Sequence, residues 1–150
     1  MLDGKPRDRR WTVPARGGSS DRGPANEAAR NRNAGTRVLV VDDVEDNRDL
    51  YAMFFEHAGF QTDQACDGEA ALAMVERRTP DAVIMDLTMP RLDGWETTRL
   101  IKSNPKTSDV VVIVVTGSAS TTHLERARAA GADEICTKPC RPRSLLETVK

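Results

Sequence analysis

Ala82-Val83-Ile84-Met85-Asp86 is an apolar run that stops on an acid. Four consecutive apolar side chains leave no polar face, so the segment reads as a strand covered on both sides, the habit of parallel sheets flanked by helices. Two other runs share this character. Val38-Leu39-Val40-Val41 lies upstream and also ends on acids, Asp42-Asp43. The β-branched run Val110 to Val115 lies downstream and is followed by Thr116-Gly117.

Helix-period segments fill the gaps between these runs. Residues 45–57 form the first, with Leu50, Met53 and Phe54 at core spacing and Gly59 as its C-terminal cap. Residues 60–65 alternate and predict a second strand. After the Asp67-Gly68 turn, residues 69–78 predict a helix that offers Ala70, Leu72, Ala73 and Val75 for packing, and Thr79-Pro80-Asp81 breaks it. Asp93-Gly94 opens a helix that reaches Ser103 and ends at Asn104-Pro105. Residues 118–130 form another, ended by Gly131. A short strand at 134–137 and a short helix at 143–150 complete the chain. Strand–helix units in this alternation predict a doubly wound α/β domain, a five-stranded parallel sheet with five helices on its two faces.

Composition agrees with one such domain. The chain has 150 residues, of which 39% are hydrophobic and 30% charged, with a formal net charge of −1. That mix suits a globular protein, and no apolar run approaches the ~20 residues of a spanning helix. The N-terminus has no apolar core of a secretory signal, so a cytoplasmic location is expected. Cys66, Cys136 and Cys140 are odd in number and form no CxxC pair, so reduced thiols are expected. The small net charge hides an asymmetry: residues 1–36 hold eight Lys and Arg against four Asp and Glu, while residues 37–150 hold fourteen against nineteen. The first segment is rich in Gly, Pro, Ser and Arg and too poor in large apolar residues to offset the entropy of ordering. A disordered basic tail over 1–36 and an ordered domain over 37–150 are therefore expected. The arginines of the tail are scattered, which argues against a nucleic-acid partner.

Ligands of open α/β sheets bind at the carboxyl ends of the strands. At that edge this chain places Asp42 and Asp43 after the first strand, Asp86 after the third, Thr116 after the fourth and Lys138-Pro139 after the fifth. Any one aspartate there is more often a turn former or helix cap than a functional group. Together the three acids would repel one another unless positive charge is supplied. Lys138 supplies one charge and a divalent cation the rest, and Mg²⁺ favours such oxygen ligands. Asp42, Asp43 and Asp86 are thus candidate Mg²⁺ ligands. Asp86 is also a candidate nucleophile toward phosphorus, with Lys138 and the Thr116 hydroxyl meeting phosphoryl oxygens. A cis Pro139 is a candidate device for aiming Lys138.

These residues carry a family resemblance. Val38 to Asp43, Ala82-Val83-Ile84-Met85-Asp86-Leu87-Thr88-Met89-Pro90 with Leu92-Asp93-Gly94, Val115-Thr116-Gly117, Ala130-Gly131-Ala132 and Lys138-Pro139 together resemble a response-regulator receiver domain, the chemotaxis-regulator fold. The resemblance covers residues 37–150. It implies the flavodoxin-like strand order 2-1-3-4-5 and a role in two-component signal transduction. It implies that Asp86 accepts a phosphoryl group from a sensor histidine kinase or a histidine phosphotransfer protein. It further implies that the Thr88 backbone carbonyl joins Asp42, Asp43 and Asp86 around Mg²⁺. Lys138 then pairs with the phosphoryl group and the Thr116 hydroxyl moves to meet it. The chain is expected to act as a stand-alone, non-enzymatic module through an unknown downstream protein, without a membrane.

One position departs from the family. Its members carry Tyr or Phe three residues before the lysine, where this chain has Ile135; Tyr51, the chain's one tyrosine, is on the first helix. Ile135 keeps open a phosphate-independent interaction module. An Asp-nucleophile phosphohydrolase of the haloacid-dehalogenase kind is disfavoured, because Thr88 stands where that class has its second aspartate. No GxxxxGK[ST] is present for a P-loop enzyme. His57 and His123 read as surface histidines, and Met89 and Trp95 as packing residues beside the site loop.

Overall fold

A computed structural model of the chain describes residues 35–87, 89, 92–117, 120–138, 141, 143 and 149. The expected tail falls outside this set except for its last two residues, and so do Thr88, Pro139 and Cys140. The elements run β1 (Arg37–Val41), α1 (Glu45–His57), β2 (Gln61–Ala65), α2 (Gly68–Arg77), β3 (Ala82–Asp86), α3 (Gly94–Ser103), β4 (Val111–Thr116), α4 (Thr121–Ala129) and β5 (Glu134–Thr137). All four strand pairings are parallel and the order is β2-β1-β3-β4-β5. The doubly wound five-stranded sheet is therefore as the sequence predicts. Four helices stand among the described residues, and of the fifth, expected over 143–150, Arg143 and Val149 are described and helical.

Strand side chains alternate between two apolar layers. Val38, Val40, Ala82, Ile84, Ile113 and Val115 pack on one face with Tyr51 and Phe55 of α1 and with Val149. Leu39, Val41, Val83, Met85, Val112 and Val114 pack on the other with Ala71 and Val75 of α2, Ile101 of α3 and Ala127 of α4. This two-sided burial is why β1, β3 and β4 read as unbroken apolar runs. Helix starts are capped by side chains: Asp67, Asp93 and Ser120 accept from the backbone N–H of Ala70, Glu96 and His123. Gly59 and Gly131 follow helix ends with φ of 103° and 104°, the left-handed geometry that favours glycine.

Two expectations are corrected. Leu50 and Met53 are not core residues but are 51% and 61% exposed. α1 carries two apolar stripes, and the sheet takes the one that includes Tyr51, Ala52 and Phe55, the latter packing its ring edge-on to Phe60. The cysteines are not all reduced: Cys66 is a free exposed thiol, whereas Cys136 is disulfide-bonded. Pairing depends on which Cβ atoms lie about 4 Å apart, which spacing along the chain does not reveal.

Candidate functional site

The register builds the site. Val38 pairs with Ala82 and Val40 with Ile84, so the columns 38-40-42 and 82-84-86 run side by side up one face. Asp42 and Asp86 therefore arrive as neighbours at the carboxyl edge, and Asp43 follows on the loop. Carboxylate oxygens of Asp42, Asp43 and Asp86 all lie within 4.8 Å of one another. Asp42 and Asp86 are buried and Asp43 is exposed, a pair of sheltered acids with one facing water.

Local hydrogen bonds fix each group. Asp42 Oδ1 accepts from the Val44 N–H at 2.9 Å and Oδ2 from Asn47 Nδ2 at 3.3 Å, while Arg48 donates to the Asp42 carbonyl at 2.9 Å. The first turn of α1 thus clamps the acid that β1 delivers, in place of a side-chain cap on that helix. β4 ends on Thr116, buried at the same edge, and its carbonyl accepts from the Lys138 N–H at 2.7 Å. This bond carries β5 pairing one residue past Thr137 and brings Lys138 over the site. Its Nζ stands 3.4 Å from Asp86 Oδ1. Asp86 is the only acid of the three that Lys138 pairs with in this way among the described residues.

The expected set of Asp42, Asp43, Asp86, Thr116 and Lys138 thus gathers at one edge; Thr88 lies outside the described residues. Three carboxylates facing one ammonium leave an excess of negative charge, and a hard divalent cation is the group such an oxygen set fits.

One neighbour of the site is announced by no motif of the chain. Tyr51 lies in the α1-face core, under the columns that end in Asp42 and Asp86. Burial first, then the charges of Asp42 and Asp86, raise its phenol above the ordinary value of 10.0. A raised folded pKa stabilises the fold below the unfolded pKa, and that contribution is lost as pH rises through the folded pKa. Tyr51 is the sole tyrosine, so near-ultraviolet phenolate absorbance reports it alone. Its midpoint is expected above 10 in buffer and at the ordinary value in urea; equal midpoints would refute the placement.

Residues 38–150 match the response regulator receiver domain family. The chain is 31% identical over 116 residues to the phosphate regulon transcriptional regulatory protein PhoB of Pseudomonas aeruginosa, covering 77% of this chain and 51% of PhoB. It is 33% identical to protein PilH of the same organism, covering 75% of this chain and 93% of PilH. Several of the curated relatives are thus spanned over about half their length or less. Among solved structures, the chemotaxis protein CheY4 of Vibrio cholerae superposes with a TM-score of 0.73 at 28% identity, over 77% of this chain and 97% of CheY4.

Proposed function

Since the chain belongs to the response regulator receiver family, we propose that it is a two-component response regulator whose Asp86 accepts a phosphoryl group. The observation that carries the reading is the pairing of Asp86 with Lys138 at an edge where two further acids converge. The donor is the phosphohistidine of a sensor histidine kinase or a histidine phosphotransfer protein. An Asp86 carboxylate oxygen forms a bond to phosphorus as the phosphorus–nitrogen bond breaks, and the imidazole leaves with a proton from solvent. Hydrolysis later returns the carboxylate and inorganic phosphate. Asp42, Asp43 and Asp86, with the Thr88 backbone carbonyl, would hold Mg²⁺, which would supply the charge that lets an anion approach this edge.

The remaining groups act on the phosphoryl oxygens. Lys138 already faces Asp86, so its ammonium exchanges a carboxylate partner for a phosphoryl one. Thr116 is buried at the same edge, and its hydroxyl supplies a neutral donor. The chain catalyses no turnover of another molecule beyond its own labelling and dephosphorylation. Its output is a change in protein–protein affinity, in the cytoplasm. No described helix is long and apolar enough to cross a membrane. The receiver spans residues 37–150, so a chain lacking residues 1–36 is expected to be labelled at an unchanged rate.

The donor protein docks beside the site, on α1. Leu50 and Met53 are exposed on the face shared with Asp46, Asp49 and His57. Met53→Asp is expected to slow transfer from a phosphohistidine protein about tenfold, the cost of about 1.4 kcal/mol of docking energy. Labelling by acetyl phosphate, which needs no docking surface, is expected to stay unchanged. Equal slowing of both donors would place the donor elsewhere.

The test of the function is labelling by acetyl phosphate with Mg²⁺, read by intact mass. One phosphoryl increment that disappears with EDTA supports the reading. Absence of both labelling and Mg²⁺ binding would favour the phosphate-independent interaction module, for which the observation is Ile135.

A further inference from the structure

We propose that Trp95 couples the Asp86 site to α4, filling the role that Ile135 leaves vacant. The inference rests on phosphorylation of Asp86 and adds the route by which it is felt. Its first support is the attachment of α4. This helix buries one residue fully, Ala127, and Thr121, Thr122, Glu125, Arg126, Arg128 and Ala129 are exposed. Trp95 reaches it at three points. The indole Nε1 donates to the His123 carbonyl at 3.4 Å, the indole and imidazole rings stand 5.2 Å apart, and the Arg126 guanidinium lies over the indole 4.0 Å from its centre. A helix with so little buried surface shifts easily, and one aromatic side chain touches it at His123 and Arg126.

The second support is what lies on the other side of Trp95. Its neighbour Gly94 donates to the Leu87 carbonyl at 3.1 Å. A methyl group built on Gly94 would sit 2.4 Å from the Asp86 carbonyl oxygen. The first turn of α3 therefore rests directly on the backbone of the phosphoacceptor, and Trp95 is the next residue. Leu87 is tied in turn to β4 by its N–H to the Val115 carbonyl at 3.3 Å. Displacement of Asp86 or of Thr116 thus reaches Trp95 through short backbone contacts, and α4 through its ring. Trp95 and Ile135 pack against the same apolar layer, so the aromatic in this region comes from α3 rather than from β5.

The test uses the full chain in a Trp11→Phe background, which leaves Trp95 as the only tryptophan. Beryllofluoride with Mg²⁺ serves as the phosphoryl mimic. The expected result is a change in Trp95 emission together with a change of about fivefold in amide exchange across residues 121–129, the factor that one partly exposed cation–π contact is worth. Trp95→Leu is expected to abolish the α4 response while acetyl phosphate still labels Asp86. Trp95→Phe keeps an aromatic face for Arg126 and is expected to restore part of it. Arg126→Gln removes the guanidinium without touching the apolar layer and is expected to lower the response, which keeps the test open should Trp95→Leu fail to fold. A full α4 response in labelled Trp95→Leu protein, or a labelled wild type whose α4 does not respond, would overturn the coupling. Failure of the wild type to be labelled at all would instead overturn the function on which the coupling rests.

Discussion

Asp86→Asn is expected to abolish phosphoryl labelling altogether while leaving the fold intact. The substitution replaces one carboxylate oxygen by an amide nitrogen at almost constant volume, so the packing of this buried position is retained. On the proposed function, what it removes is the attacking oxygen, since an amide offers no anionic nucleophile. Asp42 is held toward the first turn of α1 by the Val44 N–H and the Asn47 amide. Asp43 faces water, and Lys138 pairs with Asp86 alone of the three among the described residues. Wild type should therefore gain one phosphoryl increment by intact mass under acetyl phosphate and Mg²⁺, and Asp86→Asn none. An increment of equal size on Asp86→Asn protein would move the acceptor elsewhere. Asp42→Asn separates the roles further: it leaves the nucleophile and weakens the cation site, so labelling should persist but require more Mg²⁺.

Much of this site is legible before any coordinates, for a specific reason. Buried parallel strands announce themselves as apolar runs, and the residue that ends each run lies at a known edge. Asp42, Asp86, Thr116 and Lys138 are thereby brought to one edge from four separate segments. What escapes is whatever depends on which stripe of a helix faces inward. Leu50 and Met53 share a helical face as well as Tyr51 and Phe55 do, and only packing against β1 and β3 decides between them, with Phe54 at the margin of the packed stripe. The same choice puts Tyr51 beneath Asp42 and Asp86, which no spacing along the chain announces. Trp95 and His123 are 28 residues apart, and their contact follows from the placement of α3 beside α4 rather than from any motif. The disulfide at Cys136 escapes for the related reason that pairing is a matter of distance in space.

Gly94→Ala carries the second large expected effect, and its cause is crowding alone. The added methyl would meet the Asp86 carbonyl oxygen at 2.4 Å, the Leu87 Cα at 2.7 Å and the Asp86 carbonyl carbon at 3.1 Å. All three are backbone atoms, so no rotamer change relieves the clash. Either α3 lifts from the sheet or the end of β3 shifts. Overpacking of this kind costs about 1–3 kcal/mol, a substantial share of the ~5–15 kcal/mol by which a domain is stable. Gly117 provides the contrast, since a methyl built there meets nothing within 4 Å. Gly117→Ala should stay within about 0.5 kcal/mol of wild type in urea unfolding, as an open surface position does. The two alanines differ further in function. Lifting α3 drags the Asp86 backbone out of line with Lys138, so Gly94→Ala should lose labelling even at urea-free, fully folded concentrations of protein. A Gly94→Ala chain as stable as Gly117→Ala and labelled as fast would mean that the first turn of α3 does not rest on the phosphoacceptor. The route from Asp86 through Trp95 to α4 would then lose its first step.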